Sequence, residues 1–427
     1  MRIYTLRGWI IACGLLMSAL ANAAEHPELS GWLNSALTQH PQLQAAQAAV
    51  DAAKARTHAA QQPLFNPELE FEYENTDVNT RSLGISQTID WGDKRTAQSL
   101  VASNELLARR NNMQMIRQQL AIELLSALAK QQIDVETQQV ARKRQQLMSQ
   151  FINIAKQRHR AGDLAQINLN LAQLASAEAN FKLANAETNT VISQQTLYGL
   201  LGIESEQKAP QLPTFPSIPG APDYPVADQE MILDNLPTMQ TARAKIEIQR
   251  GRVRLRQSEQ RPDPTIGIQA GKDDKETLTG LTISIPLFVR NNFSAEVDAA
   301  NANLIQSQRE AINLRRNLSA KLTATALAYQ INRKAWLQWQ STSNNSLLQQ
   351  SKILDRLWRA GELSTTDYLV QLTLALDTEA SAIEQRGRLW QSWIEWLSAS
   401  GDIAGLLTSD KSITSTVFQY RGMGEQQ

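Results

Sequence analysis

Glu68, Glu70, Glu72 and Glu74 alternate with Leu69, Phe71 and Tyr73. Side chains leave a strand on opposite faces at each step, so this spacing predicts a carboxylate face and an apolar face. Four carboxylates in a row repel one another unless their face meets water or cations. The chemistry on offer is therefore electrostatic, a field that gathers cations and repels anions. No other group of reactive residues assembles in the sequence. The four histidines, His26, His40, His58 and His159, form no H-x-x-x-H or H-E-x-x-H pair and read as surface or packing residues. The single cysteine, Cys13, lies in an N-terminal apolar stretch, which leaves the rest of the chain without a disulfide, a thiolate site or a thiol nucleophile. No G-x-S-x-G occurs, so an envelope hydrolase has no motif to stand on. Basic and acidic residues number 42 each, which leaves no excess charge for nucleic acid. No catalytic, cofactor-binding or metal-binding residue is expected, and no cofactor.

The start of the chain carries a targeting pattern. Arg2 and Arg7 precede an apolar run from Trp9 to Leu20, followed by Ala21-Asn22-Ala23. That run is too short to span a bilayer, and it predicts a signal peptide, residues 1–23, cleaved after Ala23. Ile10-Ile11-Ala12-Cys13 loosely resembles a lipidation site, but the apolar region before it is too short to favour one. The expected destination is the bacterial envelope.

The elements that position the carboxylates come from an internal repeat. Arg160-Ala161-Gly162-Asp163-Leu164 recurs as Arg359-Ala360-Gly361-Glu362-Leu363, an offset of 199 positions that also carries Gly202 onto Gly401. His40-Pro41 pairs with Leu236-Pro237, Asn66-Pro67 with Asp263-Pro264, and Leu83-Gly84-Ile85-Ser86 with Thr279-Gly280-Leu281-Thr282. Landmarks in the same order predict a duplicated unit, the first over residues 24–205 and the second over 227–402. Between them, residues 206–226 carry Pro210, Pro213, Pro216, Pro219, Pro222 and Pro225 at a three-residue spacing. That spacing suits an extended connector, read as a strap over the surface, with a disordered linker as the alternative. Residues 403–427 form a C-terminal tail.

Each copy is expected to begin with a helical stretch, Glu28 to Gln61 or Asp228 to Gln260. A β-hairpin follows, at about 66–91 or 264–288. Next comes a long helical hairpin, at about 93–201 or 293–400, whose first arm runs from Lys94 to His159 or from Ser294 to Trp358. An arm of about 65 residues reaches roughly 100 Å, so it must pack along other helices or other chains. Leu164, Ile167, Leu171 and Leu174 follow a heptad spacing that predicts a coiled-coil seam. In the hairpins, Leu83, Ile85, Gln87, Ile89 and Trp91 alternate with small polar residues, as do Ile266, Ile268 and Ala270, and Leu281, Ile283, Ile285 and Leu287. Apolar-out, polar-in strands characterise a transmembrane barrel, with Trp91, Tyr73 and Phe288 placed for an aromatic girdle. The competing reading is a soluble hairpin whose apolar face packs on the helices. Four strands cannot close a barrel, so the barrel reading requires oligomerisation.

Across essentially the whole mature chain this order resembles the TolC outer-membrane factors. Asn66-Pro67-Glu68-Leu69-Glu70, with Leu83 to Arg95, is similar to the CzcC branch, which serves heavy-metal efflux. There the pattern runs close to S-Q-x-[IL]-[DE]-x-G-G-K-R, and this chain has Asp93 at the second glycine. The resemblance implies a mainly α fold with a membrane β-barrel: a homotrimer forming a 12-stranded barrel and a periplasmic α-helical barrel. It implies an outer-membrane exit duct with a periplasmic extension, working with a periplasmic membrane-fusion adaptor and an inner-membrane transporter of the resistance-nodulation-division type. The implied cargo is divalent heavy-metal cations. A duct for drug efflux or type I secretion is the alternative, and a soluble coiled-coil adaptor a remoter one.

The resemblance also places roles on residues. The adaptor-binding tip falls on Arg160, Ala161, Gly162, Asp163 and Leu164, and on Arg359, Ala360, Gly361, Glu362 and Leu363. The periplasmic gate falls on Asp367, with Asn168 at the equivalent place in the first copy and Arg359 near enough to restrain it. Glu70, Glu72 and Glu74 are expected to line the barrel lumen. The plainer alternatives are a helix cap at each glycine and a solvated helix face at Asp367.

Overall fold

The computed structural model describes residues 27–75, 79–203, 211–216, 219, 229–273, 276–343, 353–354, 356–358 and 360–408. The signal segment with Cys13 and His26, most of the proline-rich connector, Arg359 and the tail after residue 408 lie outside the described residues.

Helices come first in each half. α1 (Pro27–Thr38) and α2 (Pro41–Ala60) stand where one stretch was expected, as do α5 (Gln229–Asn235) and α6 (Pro237–Glu259). The break has one cause in both halves. Pro41 and Pro237 each open a helix, where the missing N–H costs nothing, and each disfavours a helical residue before it.

The strands follow: β1 (Glu68–Asn75), β2 (Asn79–Thr88), β3 (Thr265–Asp273) and β4 (Glu276–Ser284). They form one antiparallel sheet in the order β1-β2-β3-β4, so the hairpins from the two halves join edge to edge. Ile85 sits opposite Leu69 and Ile268, and Ile268 opposite Leu281.

α3 (Lys94–Arg160) is a continuous helix of 67 residues with no proline, about 100 Å at 1.5 Å per residue. α4 (Gln166–Leu201) returns from it. In the second half, α7 (Ser294–Ser343) is the long helix, and α8 (Thr365–Ser400) and the short α9 (Ile403–Thr408) follow.

The described chain divides into two compact units. One contains residues 41–117 and 227–319, with the whole sheet; the other contains residues up to 40, 118–226 and 320 onwards.

In the second of these units, the core near the glycine turns gathers Met148, Phe151, Leu164, Leu169, Leu354, Trp358, Tyr368, Leu372 and Leu376. Trp358 stacks on Tyr368 with ring centroids 4.7 Å apart and tilts against Phe151 at 4.9 Å.

α4 corrects one expectation from the sequence. Its buried face is Leu169, Ala172, Ala179, Ala186, Ser193 and Leu197. Small residues seven apart let the neighbouring backbones approach closely. Ile167, Leu171 and Leu174, the expected seam, are instead 64%, 39% and 68% exposed; only Leu164 is buried. The heptad with the larger side chains is left exposed on this chain.

The connector is held in the same unit. Gln132 Nε2 donates to the Pro213 carbonyl at 2.7 Å, Trp390 Nε1 to that of Pro216 at 3.0 Å, and the Tyr329 hydroxyl to that of Pro219 at 2.6 Å. Every third carbonyl thus meets a side chain from a different helix, as the three-residue turn of an extended chain allows. Burial pushes the Tyr329 hydroxyl up to about 12.

Candidate functional site

The sheet has two chemically distinct faces. Leu69, Phe71, Leu83, Ile85, Ile268, Leu281 and Ile283 share one face, and each is about half exposed or more. They do not pack on helices, so the soluble-hairpin reading lacks its buried face. Gly84, Ser82, Ser86 and Gly267 are buried on the opposite face. Glu70, Glu72 and Glu74 lie on that same face by register. Ser86 Oγ donates to Glu70 Oε1 and Ser82 Oγ to Glu72 Oε2, both at 3.2 Å. Two of the three carboxylates are therefore oriented by β2 while their free oxygens stay exposed.

The corner between β2 and α3 explains the motif around Asp90. Asp90 accepts from the backbone N–H of Lys94 and of Arg95, both at 2.9 Å, and so caps α3. Lys94 Nζ reaches Asp263 at 2.7 Å and the Arg261 carbonyl at 3.1 Å, tying the corner to the segment before β3. A Cβ on Gly92 would stand 2.6 Å from the Ser258 carbonyl oxygen, so no larger residue fits there. Asp93 takes a left-handed φ of 58°, as does Phe293 at the matching corner of the second half. The position where the CzcC-like pattern has glycine is thus one whose backbone favours glycine. Asp93 retains the corner with a conformation that aspartate tolerates better than most residues. Phe288 turns toward this second corner and meets Phe293 at 5.0 Å.

The expected tip residues Arg160, Ala161, Gly162, Asp163 and Leu164 form the turn from α3 to α4. Gly162 has φ 84° and donates to the His159 carbonyl, and Asp163 donates to the Arg158 carbonyl. Gly361 has φ 79° and, with Glu362, makes the same pair of bonds to Trp358 and Leu357. Both glycines close a helix end by the same left-handed device. Asp163, Ala161, Ala360 and Glu362 are exposed, whereas Leu164 and Leu363 turn into the aromatic core.

Asp367 stands in the first turn of α8. Its backbone N–H donates to Ser364 Oγ, and that hydroxyl donates back to its carboxylate at 2.6 Å. Asn168 occupies the same place in α4, where Ala165 provides no side-chain cap. An ion-pair cluster lies further along these helices. Asp377 on α8 meets Arg144 on α3 at 2.5 Å and Lys182 on α4 at 3.3 Å. Burial works against the Asp377 carboxylate, but the hydrogen bonds and charges of Arg144 and Lys182 outweigh it and hold its pKa below the ordinary aspartate value. No sequence signal pointed to this cluster, because Arg144 and Asp377 are 233 positions apart. Among the described residues, no group of histidine, cysteine, aspartate and glutamate is placed to hold a metal ion, and no helix is long and apolar enough to cross a membrane.

Comparison with known proteins agrees with this geometry. Residues 32–203 match the family described as Outer membrane efflux protein. The chain is 24% identical over 261 residues to the cobalt-zinc-cadmium resistance protein CzcC of Cupriavidus metallidurans. That match covers 59% of this chain and spans 62% of the relative's length. Crystal structures of CusC superpose with a TM-score of 0.71 at 17% identity, covering 87% of this chain and 92% of that one. The Campylobacter jejuni CmeC outer membrane channel superposes with a TM-score of 0.71 at 15% identity, covering 90% and 87%. Residues 32–203 are thus similar in sequence to the outer membrane efflux protein family, and over close to nine-tenths of its length the chain shares the fold of CusC and of the CmeC channel.

Proposed function

We propose that the chain is one protomer of a homotrimeric outer-membrane exit duct that exports divalent heavy-metal cations. The observation that carries this reading is the sheet. It presents apolar side chains on one open face and carboxylates with small polar residues on the other. Such a sheet is stable when lipid covers the first face and water the second. Its four strands leave two open edges, and three copies in a ring supply twelve strands and remove them. The outward heptad of Ile167, Leu171 and Leu174 gives a neighbouring protomer a seam to pack on.

In this reading Glu70, Glu72 and Glu74 line the lumen and bias it toward cations without binding them. The exposed residues of the two glycine turns meet a periplasmic membrane-fusion adaptor, which links the duct to an inner-membrane transporter of the resistance-nodulation-division type. Asp367 contributes one carboxylate per protomer to a constriction at the periplasmic end, with Asn168 neutral beside it. The duct is closed at rest and opens when adaptor contacts favour the open state. It performs no chemistry. The heavy-metal cargo rests on the likeness to CzcC and on the corner sequence from Ser86 to Arg95.

The test is growth of a deletion strain, with and without the complementing gene, across metal salts and antibiotics. The expected result is sensitivity confined to divalent metals, restored by the gene and not by its Gly361→Pro form. Broad drug or bile-salt sensitivity with normal metal tolerance would keep the duct and overturn the cargo.

A further inference from the structure

Charge on the sheet is segregated by face. Its apolar face holds no carboxylate among the described residues, yet it holds two cations, Arg81 and Lys272. Register puts them directly opposite each other, flanked by Tyr73 on β1 and Thr277 on β4. The row runs Tyr73, Arg81, Lys272, Thr277. The next row toward the helices is Phe71, Leu83, Ala270, Thr279, and the one after it Leu69, Ile85, Ile268, Leu281. Both cations are exposed, and the Arg81 guanidinium lies over the Tyr73 ring at 5.4 Å.

Like charges directly opposite on neighbouring strands destabilise a sheet unless something neutralises them. Water alone would screen such a pair on a soluble surface. Here the pair borders a face that lipid covers, at the end of the sheet nearest the hairpin turns. Hydrocarbon is a poor environment for two cations, and the row's other members carry no charge. A phosphate fits the vacancy in charge. It carries up to two negative charges, accepts a planar two-pronged contact from arginine, and accepts a point contact from lysine. The Tyr73 ring lies within cation–π distance of the guanidinium and presents an amphipathic edge beside it.

We propose that Arg81 and Lys272 form a binding site for the phosphorylated headgroup of an anionic lipid at the rim of the barrel. The site rests on the membrane-barrel reading above. Its acyl chains would lie against Phe71, Leu83 and Ala270, and each protomer would carry one site.

The test uses the full chain purified in detergent and reconstituted in discs of a zwitterionic phosphatidylcholine, alone or doped with bis-phosphorylated lipid A. Further arms use dephosphorylated lipid A, or inorganic phosphate in the buffer. Native mass spectrometry counts retained lipid per protomer, and the thermal midpoint is followed in parallel. Phosphorylated lipid A is expected to be retained and to raise the midpoint. The double variant Arg81→Gln, Lys272→Gln is expected to lose affinity by about tenfold or more. Lys54→Gln, at an exposed position of α2, is expected to leave retention unchanged. Equal retention by the double variant, or equal retention of the dephosphorylated lipid, would overturn the site. A midpoint rise of the same size with inorganic phosphate would overturn the lipid as its source. Extraction from membranes separates the two readings. A heat-sensitive trimer that needs detergent for extraction but shows no lipid selectivity sinks this inference alone, and a chain released without detergent sinks the barrel with it.

Discussion

The two glycine turns share a backbone and differ in almost every side chain that secures it. Gly162 and Gly361 have φ values within a few degrees, 84° and 79°, and identical closing bonds. At the last turn of the preceding helix, however, His159 in the first half stands where Trp358 stands in the second. The His159 ring bonds locally to the Leu164 carbonyl at 2.8 Å, whereas Trp358 stacks on Tyr368 and tilts against Phe151. Ala165 begins α4 without a side-chain cap, whereas Ser364 and Asp367 cap α8 reciprocally. Among the described residues Glu178 pairs with Lys182 on its own helix, whereas Asp377 draws together α3, α4 and α8. The two turns keep one geometry, which a left-handed glycine permits. The core beside the turns draws on both halves, but the indole on the preceding helix and the reciprocal cap belong to the second.

The largest test of that contrast is Trp358→Ala. It empties the aromatic core and should cost about 3–5 kcal/mol, seen as a lowered thermal midpoint of the helical signal. His159→Ala should cost about 1 kcal/mol or less, since it removes one partly buried hydrogen bond. Equal losses would mean that the turns are held alike. Adding a Cβ at either glycine should cost about 1–2 kcal/mol through the left-handed backbone. Gly162→Ala and Gly361→Ala should therefore agree, because nothing lies near either added Cβ. A large difference between them would show that the backbone is not the shared element.

Asp377→Asn should cost about 1 kcal/mol at neutral pH, reduced by solvent around the half-exposed carboxylate; Glu178→Gln should cost only a few tenths, as for an exposed helical pair. The pH dependence has a definite sign. The folded pKa of Asp377 lies below its ordinary 3.8, so its stabilisation is present above that value and lost as pH falls through the folded one. The gap between wild type and Asp377→Asn should accordingly close below pH 3.8. A gap that persists there would assign the effect to packing. The cap tests the same contrast at the start of the return helices. Ser364→Ala should lose about 1 kcal/mol, and Ala165→Ser should recover part of that in the first half. Unchanged stability in both would remove capping from the comparison.

Much of this was legible because it depends on local rules. A period of two, glycine after a helical run and proline at fixed spacing each constrain the backbone through neighbours in sequence. Strand alternation at Glu68 to Glu74 gave the correct faces, and the offset of 199 positions located both turns. Local rules misled where two readings satisfied the same pattern. The heptad of Ile167, Leu171 and Leu174 is a valid seam, but α4 buries its alanine heptad within this chain because small residues pack closer. Pro41 and Pro237 split helices that composition alone continued. Asp367 matched a gate position, while its immediate partner proved to be Ser364 three residues away.

By itself, then, the sequence determined the elements, the two-faced strands, the duplicated turns and the resemblance to an export duct. Each follows from side-chain period, backbone permission and repetition along one chain. Only the tertiary structure decided which heptad is buried and which remains open. It also showed that Lys94 answers Asp263 and that Asp377 answers Arg144, and it placed Arg81 opposite Lys272 on the apolar face. Those pairings join residues far apart in the chain, where register and helix rotation set proximity and no local preference records it.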